Sequence, residues 1–332
     1  MLRQVVAASC LPLLVACTHN AAPATAPTSL AASSSVALPA TQAISPPTSA
    51  GAATSHAVST APARGTARPG ITKVLTIIEE NHSLGQMQKG MPYLYGLAHR
   101  YGYATDYRAI SHPSLPNYLA IAGGSTFGVT DDAGPAAHPI HGASVFSQAL
   151  AVRRTARLYV ESLPARCGTV STGTYAVKHA PWAYFVDQRA ACLKGMVAAG
   201  SPAAGAFAAD LKAGKLPTAG MLVPNLDDDA HDGTLAQADA WLKGWLPRIL
   251  AGPDFKAGRL VVVVTADEDN SSSGNKVLTV VLAPGVSHRV VATPLSHYSL
   301  TRLYDEVIGA HPLRAAATAP SLSRAFGLHL AR

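Results

Sequence analysis

The chain has 332 residues, 48% of them hydrophobic and only 14% charged, which excludes a disordered polyelectrolyte and points to a globular protein. Its 26 Lys+Arg against 19 Asp+Glu give a formal charge of +7, yet the first 68 residues hold three bases, Arg3, Arg64 and Arg68, and no acid. The remainder therefore carries 23 bases against the same 19 acids, a net charge of +4 that is too mild for a polyanion-binding surface, so nucleic acid is not an expected partner.

Residues 1–17, MLRQVVAASCLPLLVAC, place Arg3 before an uncharged run from Val5 to Ala16. That run is shorter than the roughly 20 apolar residues a membrane span needs, and reads as an export signal. Leu14-Val15-Ala16-Cys17 resembles the bacterial lipoprotein box, which implies lipid modification of Cys17 and a membrane anchor outside the cytoplasm. Thr18 stands where an aspartate would favour inner-membrane retention, so an outer-membrane lipoprotein is expected. The alternative is a periplasmic or secreted protein cut near Ala16 or Ala22. Residues 18–69, rich in Ala, Pro, Ser and Thr, have no apolar periodicity and read as a disordered tether, leaving residues 70–332 as the folded domain. Of four cysteines only Cys167 and Cys192 fall in that domain. In an oxidising compartment they are expected to form one disulfide, the alternative being two buried thiols.

In chain order, apolar runs predict strands over Lys73–Ile78, Arg157–Val160, Gly220–Val223, Leu260–Thr265 and Val277–Leu282. Their lack of polar alternation fits strands covered on both faces. Helical spacing marks Met91–Tyr101, Thr234–Leu250 and Ser299–Ile308. Pro116 marks a further helix start, with Ser114 just before a helix N-terminus suited to a phosphate. The alternation predicts an α/β domain with a mainly parallel sheet, whose ligands sit outside the carboxyl ends of the strands. Three of those ends deliver acids: Glu79-Glu80-Asn81 after the first strand, Asp227-Asp228-Asp229-Ala230-His231-Asp232 after the third, and Asp267-Glu268-Asp269 after the fourth. Oxygen ligands crowded on one edge call for a divalent cation to offset their repulsion. Glu79 is expected to face solvent beside Glu80.

Glu80-Asn81-His82-Ser83, His112-Pro113-Ser114-Leu115-Pro116-Asn117-Tyr118, Pro224-Asn225-Leu226 through His231-Asp232-Gly233, Thr265 to Asp269, and Ser296-His297-Tyr298-Ser299 occur in the order of the bacterial phosphoesterase family. The chain resembles that family over about residues 71–328, within the alkaline phosphatase superfamily. It is most similar to the short secreted acid phosphatases, phosphatidylinositol phosphatases among them, because Val177-Lys178-His179-Ala180-Pro181-Trp182 matches a segment of theirs. The resemblance implies an alkaline-phosphatase-like α/β sandwich, its central sheet flanked by helices. It also implies an acid phosphatase acting on small-molecule or lipid phosphate monoesters.

Residue by residue, the resemblance makes Ser114 the nucleophile, carrying a phosphoserine intermediate. Asn117, Lys178 and His179 contact substrate, and Glu80, Asn81, Ser114, Asp267 and Glu268 form the metal shell. His231 and His297 stand near the phosphate as acid or base, with Asp229 a further contact to phosphate or to a second ion. Oxygen donors favour Ca²⁺, Mg²⁺ or Mn²⁺, while histidine among them would admit Zn²⁺ or Fe. Two other readings stand beside this one, a phospholipase C or other phosphodiesterase, and a noncatalytic cation-binding surface lipoprotein. A monomer is expected.

Overall fold

A computed structural model describes residues 69–331, so the export signal, Cys17 and all but the last residue of the tether lie outside the described residues. Ten strands follow in chain order: β1 (Lys73–Glu79), β2 (Gly102–Ala104), β3 (Tyr107–Arg108), β4 (Ala156–Val160), β5 (Met196–Ala198), β6 (Ala219–Val223), β7 (Leu260–Ala266), β8 (Thr279–Leu282), β9 (Arg289–Val291) and β10 (Leu295–Ser296). Eight of them form one sheet in the order β5-β4-β6-β1-β7-β8-β2-β9, while β3 and β10 pair separately. All its pairings are parallel except those of β8, which runs antiparallel to β7 and β2. The five predicted strands are all present, each within two residues of its expected ends.

The topology places β1 between β6 and β7, in register from Val74 opposite Ala219 and Lys73 opposite Leu260. The chain segments bearing the three acidic groups therefore leave three adjacent parallel strands at one edge of the sheet. Fully buried Val261 to Val264, Leu222 and Ile77 fill the strand interiors, as continuous apolar runs require when helices cover both faces. The predicted helices appear as Pro92–Arg100, Leu235–Ala251 and His297–Ile308, and Thr234 caps the second through a capping box with Gln237.

The remaining helix, Ser114–Gly123, starts one residue earlier than expected, so Ser114 is its first residue rather than its flank. Pro116 sits in the first turn, where its missing N–H costs nothing. The helix is buried along its whole length and packs on His297–Ile308, from which the Thr301 hydroxyl donates to the Ala120 carbonyl at 2.7 Å. Tyr304 of the same partner helix donates to the Gly220 carbonyl at 2.6 Å and hydrogen-bonds the Thr76 hydroxyl at 2.7 Å, pinning the helix to β6 and β1.

Cys167 and Cys192 are joined by a disulfide that closes a loop of 25 residues. By the chain-entropy relation a loop of this length contributes about 3 kcal/mol, which for a domain of this size is a melting shift of roughly 6–10 °C. Cys167→Ala with Cys192→Ala is expected to lower the melting temperature by that amount. A shift below about 2 °C by calorimetry would show that the bond leaves stability almost unchanged.

Candidate active site

The three strand ends are tied together by their backbones before any side chain is considered. Glu80 N–H donates to the Asp229 carbonyl at 2.8 Å and Asp267 N–H to the Glu79 carbonyl at 3.0 Å. Asn81, at φ 56° in the left-handed region, turns the chain so that its N–H meets Asp267 Oδ1 at 3.1 Å. Into this frame the Glu80 carboxylate accepts the Ser114 hydroxyl at 3.1 Å and the Tyr118 hydroxyl at 2.5 Å. The His179 ring stacks on Tyr118, with centroids 4.9 Å apart. Its Nε2 lies 3.3 Å from Glu80 Oε2 and its Nδ1 lies 3.1 Å from Asp229 Oδ2.

Neither of these His179 contacts has hydrogen-bond geometry. His179 Nε2, Asp229 Oδ2 and the nearby Asp267 Oδ2 are buried without a hydrogen-bond partner. One donor atom each from Glu80, His179 and Asp229 lies within 4.8 Å of the others, all three residues buried. The 3.3 and 3.1 Å contacts use different ring nitrogens, only one of which can serve a given ion. It is the 4.8 Å grouping with one donor atom per residue, together with the misaligned lone pairs, that admits a shared cation. The charges fit as well. Burial, reinforced by Glu80, raises the Asp229 and Asp267 carboxyls above their ordinary range. Glu80 itself is lowered, because His179, Tyr118 and Lys178 outweigh the upward push of its burial. His179 is driven up to about 10 by Glu80 and Asp229 against its own burial, so an imidazolium fills the electrostatic role that a bound cation would take over.

The expected metal shell and the observed donor cluster share Glu80. His179, expected on the substrate, lies instead between Glu80 and Asp229. Asn81 contributes its backbone N–H to Asp267. Glu268 accepts from Asn117 Nδ2 at 3.2 Å and has His112 Nδ1 at 3.1 Å, and its carboxyl is raised to about 7 by burial despite His112.

Asn117 and His297 are both held by partners within the protein. Asn117 places its amide hydrogens on the Ser111 carbonyl at 2.8 Å and on Glu268 and the Pro113 carbonyl at 3.2 and 3.3 Å. Its Oδ1 holds the Ile110 and Ser111 N–H groups, so it shapes the loop before Ser114. His297 is fully buried, with Nε2 on the Asp267 carbonyl at 2.5 Å and Nδ1 on the Tyr107 hydroxyl at 3.1 Å. Burial lowers it to about 4, which keeps it neutral at mildly acidic pH and makes it a positioning residue for the Asp267 segment rather than a general acid.

At the mouth stand Lys178 and His231, both partly exposed. Lys178 Nζ lies 3.2 Å from His231 Nε2, and His231 Nδ1 lies 2.9 Å from Asp232. Lys178 also donates to Asp132 Oδ2 at 2.8 Å, while Asp132 Oδ1 accepts the Leu115 N–H at 2.9 Å. Burial pulls the ammonium down, but Asp132 and Glu80 outweigh it and hold Lys178 above its ordinary value. Asp132 and Tyr118 escaped the sequence reading. The spacing of Tyr118 four residues after Ser114 was the available signal for the second, since it puts both hydroxyls on one helix face.

Glu79 is also corrected. It is fully buried, with both carboxylate oxygens unpartnered, and burial together with Asp229 pushes it well above the usual carboxylate range. Behind Asp229, Glu161 accepts Trp241 Nε1 at 2.8 Å and the Asn225 N–H at 3.2 Å.

The Phosphoesterase family model matches residues 78–309. The chain is 32% identical over 267 residues to a phosphatidylinositol-3-phosphatase of Mycobacterium tuberculosis, covering 79% of this chain and 85% of that protein. It is 28% identical over 215 residues to a phosphate-repressible acid phosphatase of Penicillium chrysogenum, covering 59% of this chain and 49% of that protein, so it spans about half the length of this fungal relative. Among solved structures, an alkaline phosphatase superfamily protein from Vibrio parahaemolyticus superposes with a TM-score of 0.53 at 11% identity, over 78% of this chain and 72% of that one. The lipoteichoic acid synthase LtaP from Listeria monocytogenes does so with a TM-score of 0.52 at 8% identity, over 75% and 76%. At these identities the likeness shows the fold, an alkaline-phosphatase-like α/β sandwich.

Burial, against the Trp241 hydrogen bond, raises the Glu161 carboxyl from an ordinary 4.5 to about 7. A raised carboxyl contributes stability that is complete below about pH 4.5 and lost as the pH rises through about 7. Glu161→Gln, which keeps an acceptor for Trp241, is expected to leave stability at pH 4.5 unchanged and to raise it at pH 8 by roughly 1–2 kcal/mol after solvent screening. Denaturant titrations at the two pH values check this, and an equal effect at both would refute it.

Proposed function

The chain belongs to the Phosphoesterase family, and from that premise we propose that it is a metal-dependent acid phosphatase in which Ser114 accepts the phosphoryl group of a phosphate monoester. The observation that carries this reading is the Ser114 hydroxyl. It opens a helix and points at Glu80 inside a buried cluster in which Asp229 Oδ2 and Asp267 Oδ2 lack partners.

A bound divalent cation would favour the serine alkoxide and offset charge on a phosphoryl oxygen. The imidazole among its donors, with carboxylates of Glu80 and Asp229, suits Zn²⁺, Fe or Mn²⁺ better than Ca²⁺ or Mg²⁺. Glu80 orients the hydroxyl for attack, and Tyr118 and His179 hold Glu80 in place. Lys178 neutralises the incoming group at the mouth. As the Ser114 Oγ–P bond forms, the hydroxyl proton passes to Glu80 Oε2, the bond to the leaving oxygen breaks, and that oxygen takes a proton from the Lys178–His231 pair, whose Nζ and Nε2 stand 3.2 Å apart. The pair then takes a proton from the water that attacks phosphorus, the Oγ–P bond breaks, and Glu80 returns its proton to Ser114 as inorganic phosphate leaves.

Ser114→Ala is expected to lower kcat on p-nitrophenyl phosphate by at least about 1000-fold and to abolish acid-stable phosphate on the protein after quenching. Retention of most of the rate would remove Ser114 as nucleophile. Zn²⁺ or Mn²⁺ at about 100 times its dissociation constant is expected to stabilise the chain by about 2.7 kcal/mol. A domain of this size then melts roughly 5–10 °C higher. His179→Ala and Glu80→Gln are each expected to lose most of that shift, and a full shift in both variants would place the cation elsewhere.

A further inference from the structure

Asp132 joins two cationic features of the site and is used by no step above. One carboxylate oxygen accepts the Leu115 N–H at 2.9 Å, the other the Lys178 ammonium at 2.8 Å. Both are donors that a phosphoryl group on Ser114 would claim. Among the four N–H positions that a helix leaves unpaired at its start, Pro113 and Pro116 have no hydrogen to give, so the helix offers only the Ser114 and Leu115 amides. One of these two amides and the lysine are already occupied by a single carboxylate.

We propose that Asp132 is a stand-in for substrate: its carboxylate holds the phosphate seat of the resting enzyme, and a phosphate monoester binds by displacing it. The proposal rests on the reading of Ser114 and Lys178 as the reacting and binding groups.

Charge decides which ligand wins the exchange. A monoester dianion replaces one negative charge by two beside Lys178 and the positive end of the helix, and so gains from the swap. A phosphodiester carries one negative charge, the same as the carboxylate it would displace, and gains nothing. The displaced group has somewhere to go, because the Asp132 side chain is 31% exposed and already borders water. Its influence extends into the pocket, since Asp132 is among the charges felt by Glu268 and Lys178. Displacing Asp132 costs every ligand the same, so the carboxylate lowers the affinity of all phosphate esters alike, and a dianion regains more of that cost beside Lys178.

The test uses Asp132→Asn in the full chain, with inorganic phosphate as the probe and calorimetry as the readout, so that binding is measured without turnover. Phosphate is expected to bind about 10-fold more tightly than to the unaltered chain. KM for p-nitrophenyl phosphate should fall by a similar factor, and the ratio of kcat/KM for bis-p-nitrophenyl phosphate to that for p-nitrophenyl phosphate should stay unchanged, because both esters are relieved of the same displacement. Adding Lys178→Met should cancel the gain in phosphate affinity, and Asp132→Glu, which keeps the charge, should show none. Unchanged or weaker phosphate binding in Asp132→Asn would overturn the proposal and leave Asp132 a positioning residue for Lys178. Should that variant fail to fold, the Leu115 amide resonance of the unaltered chain decides. It must shift with saturating phosphate if the carboxylate is displaced, and an unmoved resonance refutes the exchange. Tighter phosphate binding in Asp132→Asn beside undiminished turnover in Ser114→Ala would sink the nucleophile assignment and spare the seat.

Discussion

The arrangement depends on one electrostatic constraint, the confinement of several carboxylates at the ends of three adjacent parallel strands. Glu79, Glu80, Asp229 and Asp267 are each fully buried, where an isolated carboxylate would be several kcal/mol too costly to keep ionised. The fold answers in two ways. Some groups, such as Glu79 and Asp267, are pushed toward the neutral acid, while Glu80 stays ionised because His179, Tyr118 and Lys178 surround it. The difference between neighbours in sequence is a difference of partners. Glu79 has none, and Glu80 has two hydroxyls and an imidazole within reach.

Holding such a cluster requires a frame that cannot relax away from it. Backbone hydrogen bonds between Glu80 and Asp229 and between Asp267 and Glu79 tie the three strand ends to one another, so repulsion among side chains cannot splay them apart. The helix carrying Ser114 is likewise fixed from behind by Thr301, and its partner helix is anchored to the sheet through Tyr304. Asn117 and His297 belong to this frame. Each uses its polar atoms on main-chain or neighbouring side-chain partners, Asn117 on the loop before Ser114 and His297 on the Asp267 carbonyl. A polar residue close to a reacting centre can therefore serve by keeping backbone groups still rather than by touching substrate.

The same distinction explains what was legible in the sequence. The five long strands and the acids that follow three of them were visible because a continuous apolar run ending in oxygen donors is a local pattern. The three-residue strands β2, β5 and β9 carry too few side chains to form one. Ser114 was legible from its place before Pro116 and from the family motif. The part of His179 was not, since its ring meets Glu80, Asp229 and Tyr118, residues 50 to 99 positions away in a chain whose spacing says nothing of such encounters. Asp132 was missed for the same reason: a carboxylate in a polar loop looks solvated until the fold brings Leu115 and Lys178 to it. Glu79 was misread because period-two alternation at a strand end sends one of two adjacent acids outward only if water lies on that face, and here helices cover both.

The depth of the nucleophile sets what kind of ester can be attacked. Ser114 is 1% exposed, whereas Lys178 and His231 at the mouth remain partly open to water. A terminal phosphoryl group can reach the hydroxyl while the rest of its molecule stays outside. An internal phosphodiester would have to bring two substituents past the same side chains. On the proposed reading the buried cluster meets the phosphoryl group, and discrimination among leaving groups falls to the partly open side chains of Lys178 and His231.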